Sequence, residues 1–589
     1  MAAWWLLGVG AAFGIASARS GIDRLAGIAV ALFAAFAVWT LISIRWASDA
    51  ERAFAQFNQV ALYVAVLAIA IVVARRVPAY ILVGGVALAV VGVACVALVS
   101  RCFPSTFGLQ PGSTLVPALK NRLSFPLGYW NGLGIEVALA YPLLLSIMTW
   151  KRSRVASALA ALPLPILAAV MYLTSSRGAF AAAAVGVVAF LALTPRRWPA
   201  LAALVVAVGA GAAAVAVIEP KKELVQGDVG TALGAHQGHH AALWIGIACL
   251  ATALLWAGLS EVGKRIPSPP RVVGQVTAVV LVVLAVAAIV LAHPIARFDA
   301  FKSSPPAHAD TLNHLLNSSG SGRWQFWSAA ISEFRAHPVN GGGAGSWQAW
   351  WLQHGSLSVF SQFAHSLYLE SLGELGLVGF LLIVAAVAVA VVGAVRSALL
   401  LESGEVAAAA ACGIAFFVAA AYDWVWQLAG IAIVGVGMLG FALGALPSTR
   451  VSARGRSDVL RPVLALIAVA AIIPQYVVLA SGSHLRNSQE AFAAGDATRA
   501  RSEALAAKAI EPWAASPYLQ LGFVSEAEKN FNAAAHWLDE AISRSKSDYR
   551  LWLIAARIEG ERGKAGPAVR DLREARRLNP HSNAFGRGP

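Results

Sequence analysis

Residues 79–99 decide the fold class, and they read AYILVGGVALAVVGVACVALV. None of these side chains is charged. An α-helix needs about 20 apolar residues to cross the hydrocarbon core of a bilayer, where no water is present to bind the backbone polar groups. The stretch therefore predicts one membrane-spanning helix.

Apolar runs of this kind recur along most of the chain. They predict spans over 3–18, 25–44, 59–74, 79–99, 131–150, 155–174, 179–194, 199–218, 240–258, 273–293, 366–395, 406–421, 424–446 and 462–481. The chain of 589 residues is 58% hydrophobic and only 13% charged, whereas soluble domains contain about 25% charged residues. A purely soluble enzyme and a disordered chain are thereby excluded. The expected fold is all-α, a polytopic helical membrane protein with about 12–14 transmembrane helices within residues 1–483.

Basic residues mark alternate connections between the spans, for example Arg75 with Arg76 and Arg196 with Arg197. Because positively charged loops stay on the cytoplasmic side, these connections are predicted to face the cytoplasm. The connection 294–364, called the long loop here, then lies on the extracytoplasmic face. A loop of this length is usually functional when it is ordered, so the chemistry is expected on that face.

The segment 484–580, called the tail here, has a repeating pattern, in which Ala500, Ala534 and Ala568 are 34 residues apart. That period is typical of tetratricopeptide repeats, whose paired helices stack into a solenoid that binds partner proteins. About three such repeats are predicted, with an alanine-rich helical bundle as the alternative. The tail is expected to be extracytoplasmic, and residues 581–589 are expected to be disordered.

Cysteines and histidines give no metal motif. The four cysteines form no CxxC pair, and His236, His239 and His240 have no acidic or thiol partner at zinc spacing. A flexible outer loop is expected there. The chain carries 45 basic and 30 acidic residues, a net charge of +15, which in a membrane protein favours topology signals and anionic substrates over nucleic acid.

The end of the long loop is the most informative segment. Periodicity predicts an amphipathic helix over 323–337 on the membrane surface. Its predicted apolar face consists of Trp324, Trp327, Ala330, Ile331 and Phe334. The glycine run 341–345 predicts tight turns and close backbone approach to a ligand.

His365 stands at the outer mouth of the next predicted span. An imidazole titrates near neutral pH and can take a proton from an attacking hydroxyl, so a general base is one interpretation. The alternative is a histidine that only caps or anchors a helix.

Three arginines lie on the predicted outer face, where topology does not require them: Arg122, Arg177 and Arg323. Guanidinium groups bind phosphate oxygens bidentately and stabilise charge on a leaving group. The set indicates a pyrophosphate ligand, with interfacial anchoring of each arginine as the alternative. Asn131 is expected to hydrogen-bond sugar or backbone, and Asp423, in a very short turn, is expected to be solvated.

Several segments together resemble the O-antigen ligase and O-antigen polymerase superfamily of polytopic glycosyltransferases. They are residues 121–131, 174–179 and 321–376. In the last of them the family pattern passes through Gly-Arg, His-Pro and Gly-x-Gly and ends in His-x-x-Tyr-Leu-x-x-x-x-Glu-x-Gly, which is matched by His365, Tyr368 and Glu374. One departure is Ser366, where the family often has asparagine.

The resemblance implies transfer of a glycan from an undecaprenyl-diphosphate carrier to a hydroxyl acceptor at the outer face of the bacterial plasma (inner) membrane. No metal or cofactor is implied, and attack at the anomeric carbon implies inversion. His365 is implied as the base, and Arg177 and Arg323 as diphosphate ligands, with Arg122 as a further candidate. Asn131, Glu374 and Tyr368 are expected as supporting residues. Glu374 could orient a cation, with a helical acid near the interface as the alternative.

Other functions remain as alternatives. The superfamily includes protein O-oligosaccharyltransferases, for which the tail could hold an acceptor protein or an assembly partner. A transporter or flippase for lipid-linked glycans is the third interpretation. Transporters usually contain internal repeats and broken midplane helices, and no repeat is evident among the predicted spans, so this interpretation is disfavoured.

Overall fold

A computed structural model describes most of the chain. The described residues are 2–3, 5–6, 23–107, 121–150, 152–263, 294–303, 319–447 and 454–585. The predicted span 273–293, nearly all of the predicted span 3–18, and residues 586–589 of the predicted disordered end lie outside them.

The described residues are mostly helical and form no β-strand, so the all-α expectation is confirmed. Nine helices in this part of the chain are long and apolar enough to cross a membrane: Arg24–Arg45, Ala50–Val73, Ala79–Cys102, Trp130–Met148, Arg154–Thr174, Arg197–Ile218, Ala232–Glu261, Leu367–Leu401 and Ala468–Ala493. Shorter apolar helices are Arg177–Leu193, Gly404–Ala419 and Ala429–Gly444. Each of these twelve helices overlaps one of the predicted spans. The only β-pairing among the described residues is the isolated bridge between Asp49 and Ser545.

Gly376 breaks the long helix that the sequence predicts as one span. Its φ of 65° and ψ of −166° are not helical, so the Leu367–Leu401 helix consists of two segments. A Cβ at this position would lie 2.3 Å from the Val339 carbonyl oxygen. Glycine is therefore required both for the positive φ and for the close approach of two backbones.

The described residues divide into two compact units. The second unit is formed by the described residues within 70–324 and 389–447. At its centre lies the Trp130–Met148 helix, of which 89% of the apolar window is buried. The helices Ala79–Cys102, Arg177–Leu193 and Gly404–Ala419 pack against it. Small residues allow this proximity, since a Cβ at Gly134 would lie only 2.7 Å from Cβ of Ala179. The unit's short helices are Pro104–Phe107, Lys222–Val225, Pro294–Lys302 and the 3-10 helix Trp424–Gln427.

The first compact unit comprises residues 1–69, 325–388 and 448–589. Its loop helices are Arg323–Ala336, whose first two residues belong to the second unit, and Trp347–His354. The predicted helix over 323–337 is thus confirmed, but its buried residues are Phe326, Ala329, Ala330 and Glu333. Of the predicted apolar face only Ala330 is buried, and its other members are half-buried. The buried face is rotated toward Phe326, because the chain after the glycine run folds back onto that ring.

The tail is built of helices that pack in sequence. They are Ala497–Ile510, Ser516–Ala527, Phe531–Arg544, Tyr549–Glu561 and Ala565–Leu578, followed by the 3-10 helix Asn583–Phe585. The Arg454–Ala493 helix precedes them and runs without interruption through residue 483, where the sequence places the domain boundary. Alanine lets neighbouring helices approach closely, and Ala500 and Ala534 are fully buried. A tetratricopeptide identity for these helices remains a prediction.

One connection of the first unit contacts both the long loop and the tail. The connection lies between the helices Arg24–Ile42 and Ala50–Val73. Its Ser43 Oγ accepts a hydrogen bond from Ala344 N at 3.1 Å, and its Asp49 accepts one from Ser545 Oγ at 2.8 Å. In the next helix, Glu51 accepts from Ser516 Oγ at 2.6 Å. The long loop and the tail therefore lie on the same side of these two helices.

Candidate active site

His365 lies in the first unit with an unusual backbone conformation. Its φ is 57°, in the left-handed region, and it lies two residues before the start of the Leu367–Leu401 helix. A non-glycine residue in this region costs of order 1 kcal/mol or more and persists only where neighbouring contacts enforce it. Such conformations cluster at functional sites, and His365 is one of five described non-glycine residues that adopt a positive φ.

The imidazole of His365 is held in one orientation and one tautomer. Its Nδ1 lies 3.0 Å from the Phe363 carbonyl oxygen. A carbonyl can only accept a hydrogen bond, so Nδ1 carries the proton and the lone pair of the neutral ring is on Nε2. The ring stacks on Phe326, with centroids 5.1 Å apart and planes 22° apart.

The stacked pair packs on further buried aromatic side chains. Trp347 and Trp351 stack on each other at 5.8 Å and contact the Phe326 ring by their edges. Both indoles are at most 2% exposed. Trp351 Nε1 also donates to the Val359 carbonyl oxygen at 2.8 Å, which fixes the chain that leads into His365. Tight packing of this kind restricts the movement of the imidazole.

The glycine run packs against the protein's own backbone. Gly342 N donates to Gly373 O at 3.1 Å, and Gly343 N donates to Glu374 O at 2.8 Å. A Cβ at Gly341 would lie 2.3 Å from the backbone of Glu374. The glycine run therefore approaches the first segment of the Leu367–Leu401 helix closely, whereas the sequence predicted close approach to a ligand. Glu374 itself is 4% exposed and accepts from Trp347 N at 3.2 Å, which is a structural contact.

Glu333 is a buried acid that supports the same region. It is 1% exposed, and its Oε1 accepts from Ser346 Oγ at 2.6 Å. Burial, aided by the charge of Glu374 and opposed by the Ser346 hydrogen bond, raises the pKa of Glu333 to about 8. The carboxyl is therefore neutral in the folded protein at neutral pH.

Replacing Glu333→Gln should remove part of the pH dependence of stability. In the wild type, the unfolded carboxyl ionises near its ordinary pKa of 4.5 while the folded one holds its proton up to about 8. The contribution of Glu333 to the free energy of unfolding should be fully present below the unfolded pKa. It should fall as pH rises between the two pKa values, by at most about 1.4 kcal/mol per pH unit. Thermal unfolding in detergent from pH 5 to pH 8 measures this, with the exposed Glu402→Gln as control. Parallel curves for wild type and Glu333→Gln would contradict it.

Arg323 lies in the second unit and forms a buried ion pair. Its Nη2 is 2.7 Å from Asp423 Oδ2, and its Nε donates to the Tyr422 carbonyl oxygen at 2.7 Å. The side chain of Arg323 is 16% exposed and that of Asp423 is 0% exposed. Burial alone would lower the pKa of Arg323, but the charge of Asp423 overcomes this and leaves it above its ordinary value.

Asp423 is the centre of a hydrogen-bond network, and the expectation that it is solvated is wrong. It also accepts from Tyr129 Oη at 2.9 Å, Asn131 Nδ2 at 3.1 Å and Trp424 N at 2.9 Å. The ring of Tyr129 packs on Trp424, with centroids 4.3 Å apart. A short turn between two apolar helices suggests exposure, but here the Trp130–Met148 helix start and Arg323 cover it. Asn131 thus contacts this network.

Arg177 and Arg122 complete a group with Arg323, called the arginine cluster here. Arg177 Nη2 donates to Ser319 O at 2.7 Å and to Ser321 Oγ at 3.1 Å. It begins the Arg177–Leu193 helix and lies within electrostatic range of both other arginines. The guanidinium of Arg122 lies 5.3 Å from the Trp130 ring centroid. Burial lowers the pKa of Arg122, Tyr129 opposes this, and the charge of Arg323 lowers it further.

The structure thus divides the predicted site residues between two units. The first unit holds His365, Tyr368 and Glu374, and Tyr368 is half-buried in the first turn of its helix. The second unit brings Arg122, Arg177 and Arg323 within electrostatic range of one another, and there Arg323 and Asn131 contact Asp423.

The three histidines considered for a metal lie in a helix, and the expected flexible loop is wrong. All three belong to the Ala232–Gly263 helix. His239 stacks on Phe103 at 4.8 Å, and His240 accepts from Trp244 Nε1 at 3.1 Å. These aromatic contacts give each of the two rings a packing role. A pattern of closely spaced histidines near glycines did not reveal this, because the stacking partner of His239 is distant in sequence.

Comparison with known families gives one match. Residues 241–384 match the family model described as O-antigen ligase. The matched segment contains Arg323, His365, Tyr368 and Glu374, and it excludes the tail. No curated protein matches the chain significantly. The multi-pass helical architecture and this match support a membrane enzyme that transfers glycans in a ligase-like role.

Proposed function

We propose that this protein transfers a glycan from undecaprenyl diphosphate to a hydroxyl acceptor at the outer face of the bacterial plasma membrane. The observation that carries the proposal is the fixed tautomer of His365, which lies within the segment similar to O-antigen ligases. A base with its lone pair on Nε2 is what an acceptor hydroxyl requires.

In the proposed reaction, His365 Nε2 takes the proton of the acceptor hydroxyl. The hydroxyl oxygen forms a bond to the anomeric carbon of the donor glycan while the bond from that carbon to the diphosphate oxygen breaks. Undecaprenyl diphosphate leaves with the electron pair of the broken bond. A single displacement of this kind inverts the anomeric centre, and none of its steps needs an oxidant or reductant.

The charge of the arginine cluster fits a diphosphate ester. Arg122, Arg177 and Arg323 together with Asp423 leave two positive charges. A diphosphate esterified at both ends carries about two negative charges near neutral pH, and guanidinium groups match its oxygens in geometry. We assign the cluster to binding the diphosphate and to stabilising the charge that develops as it leaves.

Arg177→Lys should weaken use of the donor. Lysine keeps the charge but loses the planar fork that binds phosphate bidentately, and here it also loses the contacts to Ser319 and Ser321. We expect kcat/KM for the donor to fall about tenfold or more. The exposed Arg197→Lys, near the start of the following helix, is the matched control. Wild-type kinetics for Arg177→Lys would contradict bidentate binding at this position.

A protein acceptor is the second candidate, and the position of the tail favours it. The tail lies on the same side as the long loop through the contacts of Asp49 and Ser43. Its last two helices border a cleft of about 820 Å³ lined by Trp552, Ala565, Gly566, Val569, Arg570, Arg573, Glu574 and Arg577. The excess of arginine suits an acidic segment of a protein, and it disfavours pairing of this face with a second copy of the chain.

Arg573→Glu should reduce transfer to a protein acceptor. Reversing a charge in the cleft should raise KM for an acidic protein acceptor about tenfold and leave release of undecaprenyl diphosphate to small hydroxyl acceptors unchanged. Arg576→Glu is the control, since this exposed arginine on the same helix does not line the cleft. Equal effects of both variants would mean that only overall charge matters.

A further inference from the structure

Glu370 contacts the same peptide group that fixes the tautomer of His365. Its Oε2 accepts a hydrogen bond from Ala364 N at 2.8 Å. The N–H of Ala364 and the carbonyl of Phe363 belong to one peptide unit, and that carbonyl accepts the Nδ1 proton of His365 at 3.0 Å. A continuous chain of hydrogen bonds therefore runs from the carboxylate through one peptide to the imidazole.

At its carboxylate end, this chain of hydrogen bonds is held by a buried residue in the first turn of a helix. Glu370 is 5% exposed, and its own N–H donates to Ser366 O at 2.9 Å within the first turn of the helix. Ser366 caps that helix, because its Oγ accepts a hydrogen bond from Leu369 N at 3.4 Å. The Glu370 carboxylate instead reaches back to Ala364, on the other side of the left-handed His365.

We propose that Glu370 is a positioning residue that raises the basicity of His365 through the Phe363–Ala364 peptide. A carboxylate that accepts from the peptide N–H polarises the peptide, so its carbonyl becomes a stronger acceptor for the Nδ1 proton. The stronger Nδ1 hydrogen bond increases electron density at Nε2, as a carboxylate in direct contact does in other histidine sites. The inference rests on the proposed role of His365 as the base.

The test uses Glu370→Gln, because the amide oxygen of glutamine can still accept from Ala364 N without carrying charge. Full-length protein in lipid nanodiscs is treated with diethyl pyrocarbonate across a pH range, and modification of His365 is followed by peptide mass spectrometry. Only the neutral imidazole reacts, so the pH midpoint reports basicity without relying on catalysis. Transfer from a fluorescent undecaprenyl-diphosphate oligosaccharide is measured in parallel, with Glu402→Gln as control.

We expect the midpoint of Glu370→Gln to fall by about half a pH unit or more, kcat to fall about tenfold, and KM for the donor to stay within about twofold. If Glu370→Gln does not fold, Glu370→Ala removes the carboxylate altogether and should lower the midpoint at least as far. An unchanged midpoint in whichever of the two variants folds overturns the inference, whether transfer is kept or lost. A lowered midpoint combined with full transfer by His365→Ala keeps the hydrogen-bond chain and overturns the proposed base.

Discussion

His365→Ala should reduce glycan transfer by at least about a hundredfold, because general-base catalysis by a positioned histidine typically contributes 10²–10⁴-fold. The imidazole is the group that the surrounding contacts hold in a single tautomer, with Nδ1 on Phe363 O and the ring on Phe326. Alanine removes the proposed base and leaves the arginine cluster unchanged. We therefore expect donor binding to be retained while kcat is lost. The measurement is release of undecaprenyl diphosphate coupled to appearance of glycan on the acceptor.

The matched control for this experiment is His354→Ala. His354 lies in the same loop region, is exposed, and stacks on Trp350 at 4.1 Å. Loss of that ring should leave transfer within about twofold of wild type. Full transfer by His365→Ala at normal expression would remove the general-base role. Intact donor with every acceptor, combined with movement of the glycan across a liposome bilayer, would favour a transporter instead of an enzyme.

The helices that cross the membrane were predictable because apolar runs leave the backbone no other way to satisfy its polar groups. The helix Ala79–Cys102 extends the predicted span by only three residues. What the runs did not predict is the break at Gly376, since a single glycine within an apolar stretch is normally tolerated in a helix. Its necessity comes from the Val339 carbonyl packed against it, 37 residues earlier in the chain.

The sequence predicted which residue types belong to the candidate site, but it did not predict which residues they contact. Arg122, Arg177 and Arg323 were selected by their charge, and the structure brings them together. Asp423 was expected to be solvated because its partner Arg323 is 100 residues away in the sequence. The sign that could have revealed it is a lone acid between two apolar helices, which is costly unless it is paired.

Asp423→Ala should destabilise the protein and abolish transfer. Removing one member of a buried ion pair leaves the other charge without compensation, at a cost of about 3–5 kcal/mol. Here Arg323 is 16% exposed and would lose its contact at 2.7 Å, while Tyr129 and Asn131 would lose an acceptor. Thermal unfolding in detergent measures the loss. Asp299→Ala is the control, because its pair with Lys302 is exposed and should contribute about 1 kcal/mol or less.

A double variant separates stability from chemistry at this position. Arg323→Met combined with Asp423→Leu replaces the ion pair with apolar side chains, a change that is often neutral for stability. We expect the double variant to recover most of the thermal stability lost in Asp423→Ala while transfer stays at least about tenfold below wild type, since Arg323 can no longer bind the leaving diphosphate. Recovery of both stability and transfer would show that the pair acts only in folding, and that Arg122 and Arg177 suffice for the donor.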